Sequence, residues 1–351
     1  MTVPRVAVIL VNYQDYAAQH LPMCYDSLQA QTYPAESMTV FIVDHASTER
    51  SRGQLAQWAP AARLLRTGRN MGWGTGNNVA LEVALAEGYD YLIMLNMDVV
   101  VDPGWLHWLV ETAQDRPDLH IIQSRILLFG SGRVNSLGNR IQYLGYGYCQ
   151  GYGQDASTPV DGLTVDFASG AAMLVKHEVF ERIGRFREDY FLYGDDLEFC
   201  WRARVAGYRV GVAEQSICYH KYSPLNVRNF LYDADRNRLT TMLTLAKPGT
   251  LALVLPCLLV AELIMTVYAC FRGWGAARAR LFRHFLRPST WASIAAHRRG
   301  IQTLRRVPDA RIVRQFAGQL VLAGRPHPLM QWLLNPLLVG YWTVIRWMIV
   351  W

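Results

Sequence analysis

The run Tyr91-Leu92-Ile93-Met94-Leu95 ends abruptly in Asn96-Met97-Asp98, and no other stretch limits the fold as tightly. Consecutive apolar residues of this length predict a strand buried on both faces, at home in the middle of an α/β sheet. A carboxylate is costly inside such a layer, so Asp98 is expected just past the strand's carboxyl end, where open α/β sheets bind ligands. A related pattern occurs twice earlier. Val6 to Val11 runs into Asn12-Tyr13, and Val40 to Val43 runs into Asp44, followed by the turn residues His45-Ala46-Ser47-Thr48. Leu21, Tyr25 and Leu28 have helical spacing between these two runs, which makes a right-handed βαβ unit with parallel strands.

The rest of the first two-thirds continues the alternation. Ala62 to Leu65 predicts a short third strand, and Asn70 to Asn78 predicts a loop opening into a helix that lasts to Glu87-Gly88. A helix is expected over Gly104 to Thr112, then an irregular or antiparallel excursion through the Gly- and Tyr-rich stretch 130–153. Val165 to Val175 reads as a strand whose small central residues, Ala168-Ser169-Gly170-Ala171, admit a ligand or another backbone. After a helix near His177 to Ile183, Leu197, Cys200, Trp201 and Val205 fall on one helical face. Asp195 and Asp196 stand at that helix's amino end, where the dipole favours an ionised carboxylate. A final short strand is expected at Tyr208 to Val212, before Cys218-Tyr219-His220.

Charge divides the chain. Residues 1–245 hold 21 Lys+Arg against 26 Asp+Glu, whereas residues 246–351 hold 14 against 2. The helical pattern that takes over near residue 240 therefore sits in a strongly basic segment, and we expect an α/β domain over 1–240 and a helical region over 241–351. Leu251 to Phe271 is apolar apart from Glu262, with Pro256 inside. A bilayer span needs about 20 apolar residues, and a central acid costs about 3 kcal/mol, so the segment reads as a span, a helical hairpin or an in-plane helix, with a soluble core helix as the further alternative. Arg272, Arg278, Arg280, Arg283 and Arg287 follow at once, and Trp332, Tyr341, Trp342, Trp347 and Trp351 crowd the end. Arginine beside apolar and aromatic residues fits anionic lipid head groups better than nucleic acid. The six cysteines show no CxxC pair and read as reduced packing residues in a cytosolic compartment. No cleavable leader precedes the first strand, so secretion by that route is not expected.

Asp44, Asp98 and the Asp195-Asp196 pair all fall at strand ends or helix starts, so a parallel sheet brings them to one crevice. Singly, each reads more readily as a cap or a solvated turn. Together with Val6 to Tyr13, Asn70-Met71-Gly72, Ser169-Gly170-Ala171-Ala172-Met173 and Tyr193 to Arg202, they resemble the family 2 glycosyltransferases of the inverting GT-A type. The rhamnosyltransferase-like and galactofuranosyltransferase-like branch is the most similar. The resemblance implies a Rossmann-like, mostly parallel sheet flanked by helices, followed by a helical membrane-associating region.

It also implies roles. Asp98 matches the last acid of the family's DxD motif, a ligand of a divalent cation, Mn²⁺ or Mg²⁺, that bridges the donor's phosphates. Asn96 stands at the first position of that motif as a neutral oxygen donor, which implies looser metal binding. His220 is the matching metal-binding histidine, with an ordinary packing residue as the alternative. Asp44 would read the base edge of uracil or thymine through a charge-assisted hydrogen bond. His45 replaces the usual Asn after it. Val11, Asn12, Tyr13, Asn70, Gly72, Asn78, Asn96 and Met97 complete the implied nucleotide site, although Gly72 is equally a helix start. Asp196 matches the catalytic base that deprotonates the acceptor hydroxyl, with Asp195 as its helper. Ser169 and Gly170 would line the donor-sugar floor, Asp166 would face sugar or acceptor, and Glu198 would touch the acceptor or simply pair with Arg202.

The expected function is transfer of one sugar from a nucleotide-sugar, dTDP-L-rhamnose favoured, to a polyprenyl-diphosphate-linked saccharide in bacterial cell-envelope polysaccharide synthesis. The place expected is the cytoplasmic face of the inner membrane, peripheral or with one or two membrane segments, with homo-oligomerisation left open. A UDP-galactofuranose or other UDP-hexose donor is the rival within the fold, and a silent membrane scaffold is the rival outside it. The absence of a QxxRW motif argues against a processive polymerase.

Overall fold

The computed structural model describes residues 3–160, 164–222, 227–321, 328 and 330–351. The chain divides into two compact units: Met1–Asn139, Cys149–Cys200 and Tyr208–Pro224 in the first, Arg140–Tyr148, Trp201–Gly207 and Leu225–Trp351 in the second.

The strands in chain order are β1 (Val6–Tyr13), β2 (Met38–His45), β3 (Arg63–Thr67), β4 (Tyr91–Leu95), β5 (Val99–Val101), β6 (Ile121–Leu128), β7 (Arg133–Ser136), β8 (Asn139–Ile141), β9 (Gly147–Cys149), β10 (Ala172–Lys176) and β11 (Val210–His220). The helices are α1 (Tyr16–Gln29), α2 (Glu49–Trp58), α3 (Trp73–Ala86), α4 (Trp105–Asp115), α5 (His177–Ile183), α6 (Asp195–Val205), α7 (Val227–Leu245), α8 (Pro248–Phe271), α9 (Gly275–Phe285), α10 (Pro288–Leu304), α11 (Asp309–Ile312) and α12 (Asn335–Ile345).

In the first unit the sheet order is β3-β2-β1-β4-β10-β6-β11-β5, with β7 beside β6. Strands β1 to β4 are mutually parallel where they pair, as the βαβ pattern predicts. Beyond β4 the sheet is mixed: β10 is antiparallel to both β4 and β6, and β5 is antiparallel to β11. Residues Val6 to Leu10 and Leu92 to Leu95 are fully or nearly fully buried, as expected of strands covered on both faces. Helices α1 and α4 lay Leu21, Leu28, Trp105 and Leu109 against this layer. Cys24 and Cys218 pack in the same core as small apolar groups.

Three details differ from the sequence reading. Strand β6, in the interior of the sheet, is missing from it, because Gln123, Ser124 and Arg125 interrupt the apolar run although all three are buried. The strand expected over 165–175 begins only at Ala172. The last strand continues to His220 instead of stopping at Val212, with a register shift between Ala213 and Ile217 that polar Glu214, Gln215 and Ser216 disguise in the sequence.

In the second unit the helices α7, α8 and α9 meet at a cluster of four charges. Arg278 binds Asp235 at 2.7 Å and Glu262 at 2.5 Å, and Arg238 pairs with both acids as well. Glu262, the lone acid of the apolar segment, is thus neutralised within the helical unit. Helix α8 is the one helix among the described residues long and apolar enough to cross a membrane, and it exposes Leu259, Leu263 and Phe271. Asp309 holds its amino end, accepting from the Lys247 N–H at 2.7 Å and the Thr250 hydroxyl at 2.6 Å.

Candidate active site

The site lies in the first unit, at the carboxyl ends of β1, β2 and β4. Register sets Asn12 beside Asp44 across β1 and β2. The Asn12 amide donates to Asp44 Oδ1 at 2.9 Å and to the Ser47 hydroxyl at 2.8 Å, and Ser47 in turn donates to Asp44. Both Asn12 and Asp44 are buried, so a charge-assisted network fixes this carboxylate at the strand edge. His45, the next residue, pairs its Nδ1 with the Thr67 hydroxyl at 2.6 Å across β2 and β3. Burial lowers its pKa, favouring neutral imidazole.

Asn70 and Gly72 form the entry to α3. The Asn70 side chain accepts from the Gly72 N–H at 2.9 Å. Gly72 has φ +83°, and a Cβ there would collide with the Phe191 carbonyl, so both conformation and space require glycine. Asn78 serves the scaffold rather than a ligand. Its amide donates to Phe186 O at 2.9 Å and its carbonyl accepts from Phe186 N–H at 3.0 Å. Met97 turns its side chain into the core. Val11 is partly buried and Tyr13 is 42% exposed.

Asp98 follows β4 and precedes β5. His220, the last residue of β11, pairs in register with Val99 and thereby comes beside Asp98. Its Nε2 is 3.3 Å from Asp98 Oδ2, and its Nδ1 is 2.8 Å from Asn135 Oδ1. Burial works against the Asp98 charge, but hydrogen bonds from His220 and Tyr16 outweigh it and hold the carboxyl below the ordinary range. Asp98 Oδ1 is buried without a hydrogen-bond partner. A buried, anionic oxygen beside an imidazole whose far nitrogen is held by the Asn135 amide is a donor set suited to one divalent cation. Among the described residues no group of three or more His, Cys, Asp or Glu surrounds it, so water or a ligand's oxygens would have to supply the remaining positions.

Asp196 lies in the first turn of α6. Its carboxylate accepts from Gly170 N–H at 3.0 Å and Leu197 N–H at 2.8 Å. Burial nonetheless raises its pKa, the backbone donors offsetting only part of the penalty. A carboxylate raised in this way is a better proton acceptor than a solvated one. Asp195 is buried beside Gly74, where a Cβ would run into its carboxylate. Glu198 is buried and lies in the field of Arg187, whose guanidinium is bidentate to Asp189. Asp166 is fully buried, and its N–H donates to Asn139 O at 2.8 Å. The Ser169 N–H donates to Gln123 Oε1 at 2.7 Å, and the Ser169 hydroxyl accepts from Ala171 N–H.

The link between these groups is Trp73, a residue the sequence reading passes over as part of the helix opening. Its indole N–H donates to Asn96 Oδ1 at 3.0 Å, and its ring lies so close to Gly170 that a Cβ there would fall 2.5 Å away. Asn96 N–H also donates to Ala171 O at 3.0 Å. Asn96, Gly170 and Asp196 therefore form one continuous wall. Tyr222 stands 5.6 Å ring to ring from His220.

Comparison with known proteins gives a consistent result. The family description "Glycosyl transferase family 2" matches residues 7–184. The chain is 27% identical over 237 residues to N-acetylglucosaminyl-diphospho-decaprenol L-rhamnosyltransferase of Mycobacterium tuberculosis, covering 61% of this chain and 75% of that protein. It is 29% identical over 241 residues to the O-antigen biosynthesis protein RfbC of Myxococcus xanthus, covering 66% of this chain but spanning only 18% of that protein. Among solved structures, the mannosyltransferase PcManGT of Pyrobaculum calidifontis, in complex with GDP-Man and Mn²⁺, superposes with a TM-score of 0.52 at 18% identity, over 86% of this chain and 87% of that one. At that identity the likeness shows the fold.

Proposed function

Since the chain belongs to glycosyl transferase family 2, and is a glycosyltransferase with a GT-A fold, we propose that it transfers a single sugar from a nucleotide-sugar to a lipid-linked saccharide with inversion at the anomeric carbon. The favoured donor is dTDP-L-rhamnose, in keeping with the rhamnosyltransferase relative, whose name also supplies the model for a diphospho-polyprenol acceptor. The observation that carries the reading is the wall that joins Asn96, two residues before Asp98, through Trp73 and Gly170 to Asp196.

On this reading Asp44 accepts the N3–H of the pyrimidine and Asn12 keeps it oriented. Asp98 and His220 hold a divalent cation, in keeping with the Mn²⁺ of the mannosyltransferase. When bound, the cation neutralises charge developing on the departing nucleoside diphosphate. Asp196, poised by its raised pKa and fixed by two backbone donors, takes the proton from the acceptor hydroxyl. Asn96, held by Trp73, keeps the strand end in place. The basic, apolar second unit keeps the enzyme at the cytoplasmic face of the membrane, where a lipid-linked acceptor resides.

The test is transfer to a lipid-linked acceptor by the full chain, with dTDP-L-rhamnose, UDP-galactofuranose and UDP-hexoses as donors, with and without Mn²⁺. Metal-dependent transfer from dTDP-L-rhamnose above all others supports the reading. Preference for a UDP-sugar replaces the donor, and absence of transfer from any donor defeats the proposal.

A further inference from the structure

The second unit contains a cavity of about 440 Å³ lined by Tyr232, Ala276, Arg280, Arg283, His284 and Arg287. Arg280, Arg283, His284 and Arg287 recur at helical spacing along one side of α9 and the turn that follows it. The Arg280 guanidinium stacks 3.9 Å above the Tyr232 ring, which holds one charge at the cavity wall. Some other arginines of this unit have carboxylate partners. Arg238 and Arg278 are neutralised by Asp235 and Glu262, and Arg305 by Asp309. Among the described residues no carboxylate pairs with Arg280, Arg283 or Arg287. Three guanidinium groups gathered around one cavity without a counter-ion call for an anion.

The surroundings specify what carries that anion. Phe282 and Leu286, interleaved with the arginines, are 47% and 79% exposed. Elsewhere in the same unit Leu259, Leu263 and Phe271 of α8 and Leu337 and Val344 of α12 are also exposed. Apolar side chains spread over several helices need a continuous apolar phase, not the groove of a single chain. A nucleic acid would leave them in water, and an apolar protein face would leave the arginines unpaired.

We propose that this cavity is a head-group pocket for an anionic phospholipid of the bilayer. Arg280, Arg283 and Arg287 take the phosphate, while Phe282 and Leu286 enter the acyl region. The proposal rests on the membrane-associated reading above and deepens it by naming the lipid chemistry and the residues.

The test is flotation of the full chain with vesicles of phosphatidylcholine alone, phosphatidylcholine with phosphatidylglycerol, and phosphatidylcholine doped with an isoprenyl diphosphate. Wild type is expected to float with the phosphatidylglycerol vesicles and weakly with phosphatidylcholine. The pair R280A/R283A should lose about thirtyfold in partition at about 1 kcal/mol per arginine. The charge-matched control R299A/R311A, on exposed arginines of the same unit outside the cavity, should lose at most a few-fold, and R280K/R283K should retain most binding. Equal losses by the two alanine pairs would mean diffuse attraction and overturn the pocket. Binding confined to the isoprenyl diphosphate vesicles, or as strong to phosphatidylcholine alone, would also overturn it. Transfer to the lipid-linked acceptor presented in detergent is read in parallel. Its absence in wild type defeats the glycosyl-transfer reading, whereas an intact rate with unchanged flotation of R280A/R283A defeats only the pocket.

Discussion

His220 Nε2 lies 3.3 Å from Asp98 Oδ2 because β11 pairs with β5, which sets the last residue of one strand opposite Val99, the neighbour of Asp98. Neither strand has an uninterrupted long apolar run, and their pairing is what turns two distant polar residues into one site.

Removing either partner should weaken metal binding before it alters the fold. In Mn²⁺ titrations followed by electron paramagnetic resonance with nucleoside diphosphate present, His220→Ala should weaken affinity by about 10- to 100-fold. Asp98→Asn should abolish it. Unchanged affinity in both variants would remove the metal from this site.

Asp196 is partly shielded from water, and burial holds its pKa above the ordinary carboxylate value. A base must be ionised to accept a proton, so kcat/KM should fall as pH drops through a pKa above that of free Asp. Asp196→Asn should cut kcat by about 10²- to 10⁴-fold and leave the dissociation constant for the donor nearly unchanged. A variant with normal kcat would exclude Asp196 as the base.

Asp44 is held by Asn12 and Ser47 with its carboxylate at the strand edge. Asp44→Asn should weaken nucleoside diphosphate binding by about 1.5–3 kcal/mol, the range for a hydrogen bond to a charged group. Calorimetric titration with UDP and dTDP checks it, and equal affinity in wild type and variant would move the base elsewhere.

Gly170 leaves no room for a side chain, since a Cβ would fall 2.5 Å from the Trp73 ring. Gly170→Ala should displace the indole, break its bond to Asn96 and destabilise the protein by about 1–3 kcal/mol. Trp73→Phe keeps most of the packing but removes the donor, so it should lower kcat with a smaller drop in melting temperature. A fully active Gly170→Ala variant would show that the wall is not needed.

In the second unit, Glu262→Gln leaves Arg278 and Arg238 with one acid between them. Breaking a buried pair on one side costs about 3–5 kcal/mol, because the remaining charge stays desolvated. Thermal unfolding of the detergent-solubilised protein should register that loss. No change in melting temperature would mean that the cluster is solvated in solution.

Much of this protein is written locally. The apolar runs at Val6, Val40 and Tyr91 specify β1, β2 and β4, because a strand buried on both faces needs no partner to declare itself. The acids at their ends, and the Asp195-Asp196 start of α6, are legible for the same reason. Strand β6 is not, since its buried Gln123, Ser124 and Arg125 are satisfied by groups distant in the chain: Gln123 by Ser136 and Asn139, Ser124 by Trp105, and Arg125 by Glu214. The same holds for Asn78, which looks like a loop ligand and is bound to Phe186, and for Trp73, which looks like a helix residue and joins Asn96 to Gly170. Sequence by itself determined where strands end and which carboxylates stand there, because burial and backbone propensity act over a few residues. Only the tertiary structure decided which of those groups meet, since His220 reaches Asp98 through a long-range pairing whose hydrogen bonds carry no local signature.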